Sequence, residues 1–488
     1  MTAGLLLAFV LGYFVLLLAV AWRTSRRADN NSFFIGNRSS AWGLVAFGMV
    51  GTSLSGVTFI SVPGAVGSTS FGYLQIVIGQ FLGYFVIAGV LLPLYYRLRL
   101  TSIYGYLSQR LGREAYRTGA GIFIVSRTLG ATARLYLVVA ILQTSILNSF
   151  GVPFWLTAAV ILLMILLYTF EGGVKTIVWT DTLQTAGMLL GLLVCVGFLL
   201  QRLGLSPLQG LAAMQEKGLA TVWVTDPFSR SFFVKQMAAG FFITIAMTGL
   251  DQEMMQKSLS VKTLRDSQKN MLVLGLVLLG VVLLFLLLGG LLHLYAAQVG
   301  LKASGDRLFP AVVLGYLPVA VQVLFVIALI SALFPSADGA LTALTSSFCI
   351  DLLGMQGRTD WNEARRRQVR KQVHLAFTAL FMGLVLGFHG LDDPSMIGLI
   401  LKLAAYTYGP LLGLFAFGLL TRRVLRPGWV TGVALAAPLL CWLLDANQQA
   451  LLGRWQMGLE LLLLNAALTF AGLWLVSSDP KPGQRGSA

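Results

Sequence analysis

Apolar residues in this chain run in blocks of about 20, the length an α-helix needs to cross a hydrocarbon core roughly 30 Å thick. Thirteen such blocks can be placed: 2–22, 41–66, 72–96, 117–148, 152–170, 175–201, 232–254, 270–298, 316–350, 372–388, 395–420, 428–445 and 457–477. The runs are continuous, so a lipid-facing β-barrel, whose strands alternate, is excluded. Composition agrees: 57% of the 488 residues are hydrophobic and 11% charged, with a mean hydropathy of +0.80, against about 25% charged in soluble domains. The sequence therefore reads as an all-α polytopic membrane protein. Its longest connections, 202–231 and 351–371, are too short for an extramembrane domain. Cys195, Cys349 and Cys441 lie in or beside apolar blocks without paired spacing, as small buried hydrophobes do.

The net charge of +16 is spread between the apolar blocks instead of forming one basic face, which argues against a nucleic-acid partner. Of the 35 Lys and Arg, 25 fall on the face that begins with Arg23, Arg26 and Arg27, and 7 on the alternate face; Arg127, Arg134 and Lys402 lie within spans. The positive-inside rule makes the first face cytoplasmic, with the N-terminus outside and the C-terminus inside. An integral protein of a bacterial-type inner (plasma) membrane is expected. The basic run Arg365, Arg366, Arg367, Arg370 and Lys371 then anchors to an anionic leaflet. His293, His374 and His389 have no metal-ligand spacing.

Two spans carry signs of interruption. GMVGTSLSGVTFISVPG, Gly48 to Gly64, sets glycines, hydroxyls and Pro63 at membrane depth, and GFFITIAMTGLDQEM, Gly240 to Met254, breaks an apolar run with Thr244, Thr248 and Gly249. Unwound backbone is tolerated in a bilayer only against protein or a water-filled cavity, and its freed carbonyls suit a hard cation such as Na⁺. Interrupted helices five apart in order are the pattern of an inverted-repeat transporter. Buried charge is costly, so Arg127, Arg134, Asp181, Asp338 and Lys402 each need a partner or a function. Fully ionised, the five carry one excess positive charge, which an anionic solute balances. The alternative is a structural ion-pair network.

Several stretches resemble the sodium:solute symporter family, which includes the sodium/proline, sodium/galactose and sialic acid carriers. They are EGGVKTIVWTDTLQ (Glu171 to Gln184), DQEMMQKSLSVKTLRDSQK (Asp251 to Lys269), LISALFPSADGALTALTSSFCIDLL (Leu329 to Leu353) and AYTYGPLLGLFAFGLLTRR (Ala405 to Arg423). The resemblance implies a LeuT-type fold of 13 transmembrane helices: a leading helix and linker over 1–38, inverted five-helix repeats over 39–201 and 232–425 joined by an outer loop over 202–231, two trailing helices over 426–477 and a tail over 478–488. It also implies Na⁺-coupled uptake by alternating access. The main Na⁺ site falls on the carbonyls of Gly51, Leu54 and Ala332 and the hydroxyl of Ser336. A second ion site of the sialic acid carriers falls on Asp181, Ser53 and Asp338, so that one or two Na⁺ are expected. The solute pocket falls on Ser55, Thr58, Thr244, Met247 and Thr248, and, with a two-residue gap, on Phe71 and Gln75. Arg127 and Arg134 lie one turn either side of the carboxylate-binding arginine position.

Two residues depart from the family pattern. Pro335 stands where a second hydroxyl ligand is common, removing it and adding a helix break. Asp338 replaces a neutral hydroxyl, and two acids in one site hold a cation between them or share a proton. The span 270–298 lacks the lysine that the galactose carrier uses on sugar, which favours an organic anion such as a sialic acid, carboxylate or amino acid over a neutral solute. A Na⁺- or H⁺-coupled carrier of a neutral solute such as a sugar, or a transporter-like sensor, are the alternatives. No nucleophile has an activating base, so an enzyme is not expected, and a monomer is expected to suffice.

Overall fold

The computed structural model describes residues 3–25, 33–34, 38–145, 147–390 and 396–479. Arg26, Arg27 and the tail beyond Asp479 lie outside the described residues. Among the described residues the regular elements are helices apart from a two-residue antiparallel ladder, Val424–Leu425 with Ser477–Ser478, and an isolated bridge between Ser40 and Val261. A single leading helix, α1 (Ala3–Ser25), is followed by α2 (Trp42–Ser53) and α3 (Gly56–Thr69), then by α4 (Tyr73–Val86), which runs on through a π-turn to Arg97. Next come α5 (Arg113–Ser145) and the long α6 (Phe154–Leu203). The second half comprises α7 (Phe233–Thr244), α8 (Gln252–Leu259), α9 (Leu264–Gln298), α10 (Val319–Ser347) and α11 (Glu363–Phe388). It closes with α12 (Met396–Thr407), α13 (Gly409–Leu420), α14 (Val430–Ala446) and α15 (Leu461–Leu475).

Both expected interruptions are present. α2 and α3 meet at Leu54 and Ser55 with a 56° bend, and α7 with its following π-turn meets α8 at Leu250 and Asp251 with a 63° bend. A third bend of 43°, at Tyr408 between α12 and α13, falls in a stretch read from sequence as one continuous span. Seven described helices are long and apolar enough to cross a bilayer, or ten if each bent pair is one span. Three shorter apolar helices, Phe154–Phe170, Val430–Ala446 and Leu461–Leu475, occupy the other predicted positions.

Local chemistry explains the breaks. α6 bends at Gly173, whose φ of 55° is left-handed and whose missing side chain makes room for the backbone of Phe33; a Cβ there would lie 2.4 Å from the Phe33 Cα. Only glycine meets both demands. α8 restarts because the Asp251 carboxylate accepts the backbone N–H groups of Glu253 and Met254 as an N-cap. The break expected at Pro335 is not found: α10 runs unbroken through it. α10 is sheathed by neighbouring helices, every residue from Ala328 to Ser347 being buried, and such packing tolerates a proline. What Pro335 does remove is the amide that would bond the Ser331 carbonyl, one residue from Ala332.

Glycines also set the closest helix approach. A Cβ at Gly79 would lie 2.0 Å from the Met237 carbonyl oxygen, and one at Gly240 would lie 2.1 Å from that of Ile76, so α4 and α7 touch backbone to backbone. The connection 202–231, with a short helix Pro207–Glu216, folds over the turn between α3 and α4. The Phe71 amide donates to the Thr221 carbonyl at 3.0 Å, and the Val224 amide donates to Gln75 Oε1 at 3.3 Å.

Candidate functional site

A cavity of about 130 Å³ opens beside the α2–α3 break, walled by α4, α5, α7 with its π-turn, α9 and α12. It gathers Ser55, Thr58, Arg127, Arg134, Thr244, Met247 and Thr248, all read from sequence as solute contacts. Phe71 and Gln75 do not reach it. Both are buried under the 202–231 connection, where the Gln75 amide also donates to the carbonyls of Gly72 and Ser231. The α4 side chains that line the cavity are those of Tyr73, Gln80 and Tyr84. Their i, i+7 and i+11 spacing, which falls on one face of α4, was the available signal.

Four of the five charges expected to need partners have them. Arg127 pairs with Glu253 and approaches Asp251 at 3.9 Å. Asp251 also accepts the Tyr408 hydroxyl at 2.8 Å, tying α8 to the α12–α13 bend. Asp181 pairs with Lys257 at 2.7 Å, Asp338 accepts the Tyr168 hydroxyl at 2.8 Å, and Lys402 pairs with Asp445 at 3.0 Å. Arg134 alone, among the described residues, lines the cavity as a cation with neither an ion pair nor a hydrogen bond. Sequence reading missed Glu253 and Lys257, although their four-residue spacing is that of an acid–base pair on one helix face.

The residues expected to hold the main cation lie at the α2–α3 break and on the stretch of α10 that packs against it. The last turn of α2 ends at the break: the Val50 carbonyl accepts the Leu54 amide at 2.8 Å, and the Gly51 carbonyl beyond it has no helical donor. The Gly51 amide is steered away, donating to Thr185 Oγ1 at 3.1 Å. The start of α3 lies against α10: a Cβ on Gly56 would come within 3.8 Å of the Leu333 amide, next to Ala332. Ser336 is buried with its hydroxyl donating to the Leu333 carbonyl at 2.8 Å, which leaves its oxygen lone pairs to face a cation. Oxygen donors of this kind suit a hard monovalent ion.

The side chains of the second set turn to different partners. Ser53 faces the solute cavity beside Tyr84, and Thr52, not Ser53, donates to Asp181 Oδ2 at 3.1 Å. Asp338 turns to Tyr168, and the cation at Asp181 is the Lys257 ammonium. Thr52 lies one helical turn after Gly48, which packs against Asp181, so the helix carries Thr52 and not Ser53 to the carboxylate.

A central polar cavity beside two interrupted helices, inside a helical membrane bundle, defines a carrier. The sequence profile of the sodium:solute symporter family matches residues 33–435, and the chain belongs to that family. It is thus an integral membrane protein that couples a solute to Na⁺. It is similar to the sodium/sialic acid symporter of Aliivibrio fischeri, at 21% identity over 89% of this chain and 86% of the relative. It is also similar to the sodium-coupled monocarboxylate transporter 1 of Mus musculus, at 27% identity over 85% and 68% respectively. Its fold matches the solved structure of a Na⁺-coupled sialic acid symporter, with a TM-score of 0.81, 18% identity and coverage of 97% and 99% of the two chains.

Proposed function

We propose that this symporter takes up a small organic anion, its carboxylate held by Arg134. The observation behind this reading is a half-buried guanidinium in a central cavity that, among the described residues, has neither an ion pair nor a hydrogen bond, since a cation among membrane spans without a counter-charge is costly. Guanidinium binds a carboxylate through two parallel hydrogen bonds. Ser55, Thr58, Thr244 and Thr248 supply hydroxyls for the rest of a polar solute, and Tyr73 and Gln80 complete the wall. Relatives named for sialic acid and monocarboxylate transport are consistent with it. Na⁺ would sit on the carbonyls of Gly51, Leu54 and Ala332 with the Ser336 hydroxyl. Filling that site ties α2 to α10 and so favours the geometry that presents Ser55 and Thr58.

In the same reading the three short apolar helices cross the bilayer, making thirteen spans with the N-terminus outside. The units are the leading segment 1–38, repeats at 39–201 and 232–425 around the outer loop 202–231, trailing helices at 426–477 and the tail 478–488. The bends of 56° and 63°, five spans apart, support the inverted pairing. One chain builds the whole cavity, so a monomer suffices. The protein works as a transporter, not an enzyme, in an inner membrane.

Competition uptake in proteoliposomes tests the solute class. Under an inward Na⁺ gradient, N-acetylneuraminate and short monocarboxylates are expected to be carried or to compete, and neutral sugars are not. Transport of neutral sugars with no competition from any carboxylate would overturn the anion reading.

A further inference from the structure

Below the solute cavity, one buried amine has the surroundings of a bound alkali ion. Lys257 Nζ donates to Asp181 Oδ2 and to Thr52 Oγ1, each at 2.7 Å, and reaches Glu253 Oε1 at 3.4 Å. An ammonium has three donors, and here three oxygens receive them. Those oxygens come from the last turn of α2 just before its break, from α6 and from α8. The Lys257 side chain is 3% exposed and that of Asp181 1%. Glu253 is the lesser partner, because its other oxygen belongs to Arg127. The charge of Lys257 is therefore answered by Asp181.

The packing leaves room for this arrangement. A Cβ at Gly339 would fall 2.2 Å from Glu253 Oε1 and 3.0 Å from Lys257 Nζ. At Gly48 a Cβ would fall 3.2 Å from that of Asp181. Two bare positions, one on α10 and one on α2, thus make room for the acid–amine group between the helices.

We propose that Lys257 is a built-in cation standing where a second Na⁺ would bind, so that this carrier uses a single Na⁺. Of the two carboxylates that the resemblance gives to a second ion, Asp181 is already neutralised by a tethered charge and Asp338 is engaged by the Tyr168 hydroxyl. Asp181 Oδ1 has no hydrogen-bond partner, yet a Na⁺ placed on it would face an ammonium held by the same carboxylate, in surroundings that screen poorly. The tether also fixes the supply of charge: Lys257 cannot leave with the solute, whereas a second Na⁺ would.

The inference rests on the Na⁺-coupled reading above, and counting bound ions separates the two. Purified protein titrated with ²²Na⁺ alone is expected to bind one ion per molecule. Lys257→Ala opens the Asp181 cradle and is expected to bind two, with a steeper Na⁺ dependence of thermal stabilisation. Should that variant fail to fold, Asp181→Asn serves: its ion count stays at one with unchanged affinity if Lys257 fills the cradle, and the affinity falls if Asp181 ligates Na⁺. Two ions on the unaltered protein, or one on folded Lys257→Ala, overturn the proposal while leaving Na⁺ coupling intact. No bound ion at all overturns Na⁺ coupling itself.

Discussion

Arg127 and Arg134 share one helix face, seven residues apart, and in the sequence nothing distinguishes them. The fold separates their roles by bringing Glu253 to one and leaving the other bare. Removing Arg134 should cost the affinity of a charge-assisted hydrogen-bond pair, about 1.5–3 kcal/mol, which corresponds to a roughly 10- to 150-fold rise in KM for an anion. Arg134→Ala uptake kinetics check this, and melting should hardly change because no structural partner is lost. Arg127→Ala should do the reverse, stranding buried Glu253 and destabilising the fold by about 3–5 kcal/mol in denaturation measurements. The charges themselves were legible because ionised side chains within apolar runs stand out. Their pairing was not, because Glu253 lies 126 residues from Arg127 in sequence and only the bend before α8 aims it there.

At the level of elements, the interrupted helices were readable where glycine, proline and hydroxyl residues cluster at membrane depth, as in Gly48 to Gly64. Pro335 misled, because proline breaks a helix only where the surroundings permit it, and buried α10 does not. The Tyr408 bend left little trace in the sequence beyond Gly409 and Pro410. Which hydroxyl meets Asp181 was misread although α2 is regular there: Thr52 follows Gly48 by one turn, and only the fold shows that the Gly48 face is the one packed on Asp181. The backbone contact between α4 and α7 makes a further prediction. Gly240→Ala pushes a methyl against the Ile76 carbonyl, and overpacking of this kind destabilises by about 1–3 kcal/mol. Because Tyr73, Gln80 and Tyr84 sit on α4 and Thr244 on α7, solute affinity should fall with it. Thermal unfolding and solute titration on the same variant would show both, and an unchanged melting temperature would mean the helices are not in contact.

For the molecule as a whole, blocks of apolar sequence forecast the helical membrane architecture well, since span length follows directly from bilayer thickness. Solute identity was less accessible, because the cavity wall is assembled from side chains on eight helices whose approach depends on packing. In the proposed reading the cation set and the solute set both draw on one discontinuity in the chain, Leu54–Ser55, which would link ion binding to solute binding. The most direct test is accumulation of a labelled carboxylate in proteoliposomes with and without an inward Na⁺ gradient, comparing the unaltered protein with Ser336→Ala. Uptake above equilibrium that needs the gradient, and an at least tenfold higher Na⁺ requirement in Ser336→Ala from the loss of a ligand worth about 1.4 kcal/mol, is the expected result. Equal uptake whichever way Na⁺ is distributed, or a Ser336→Ala protein with unaltered Na⁺ dependence, would contradict it.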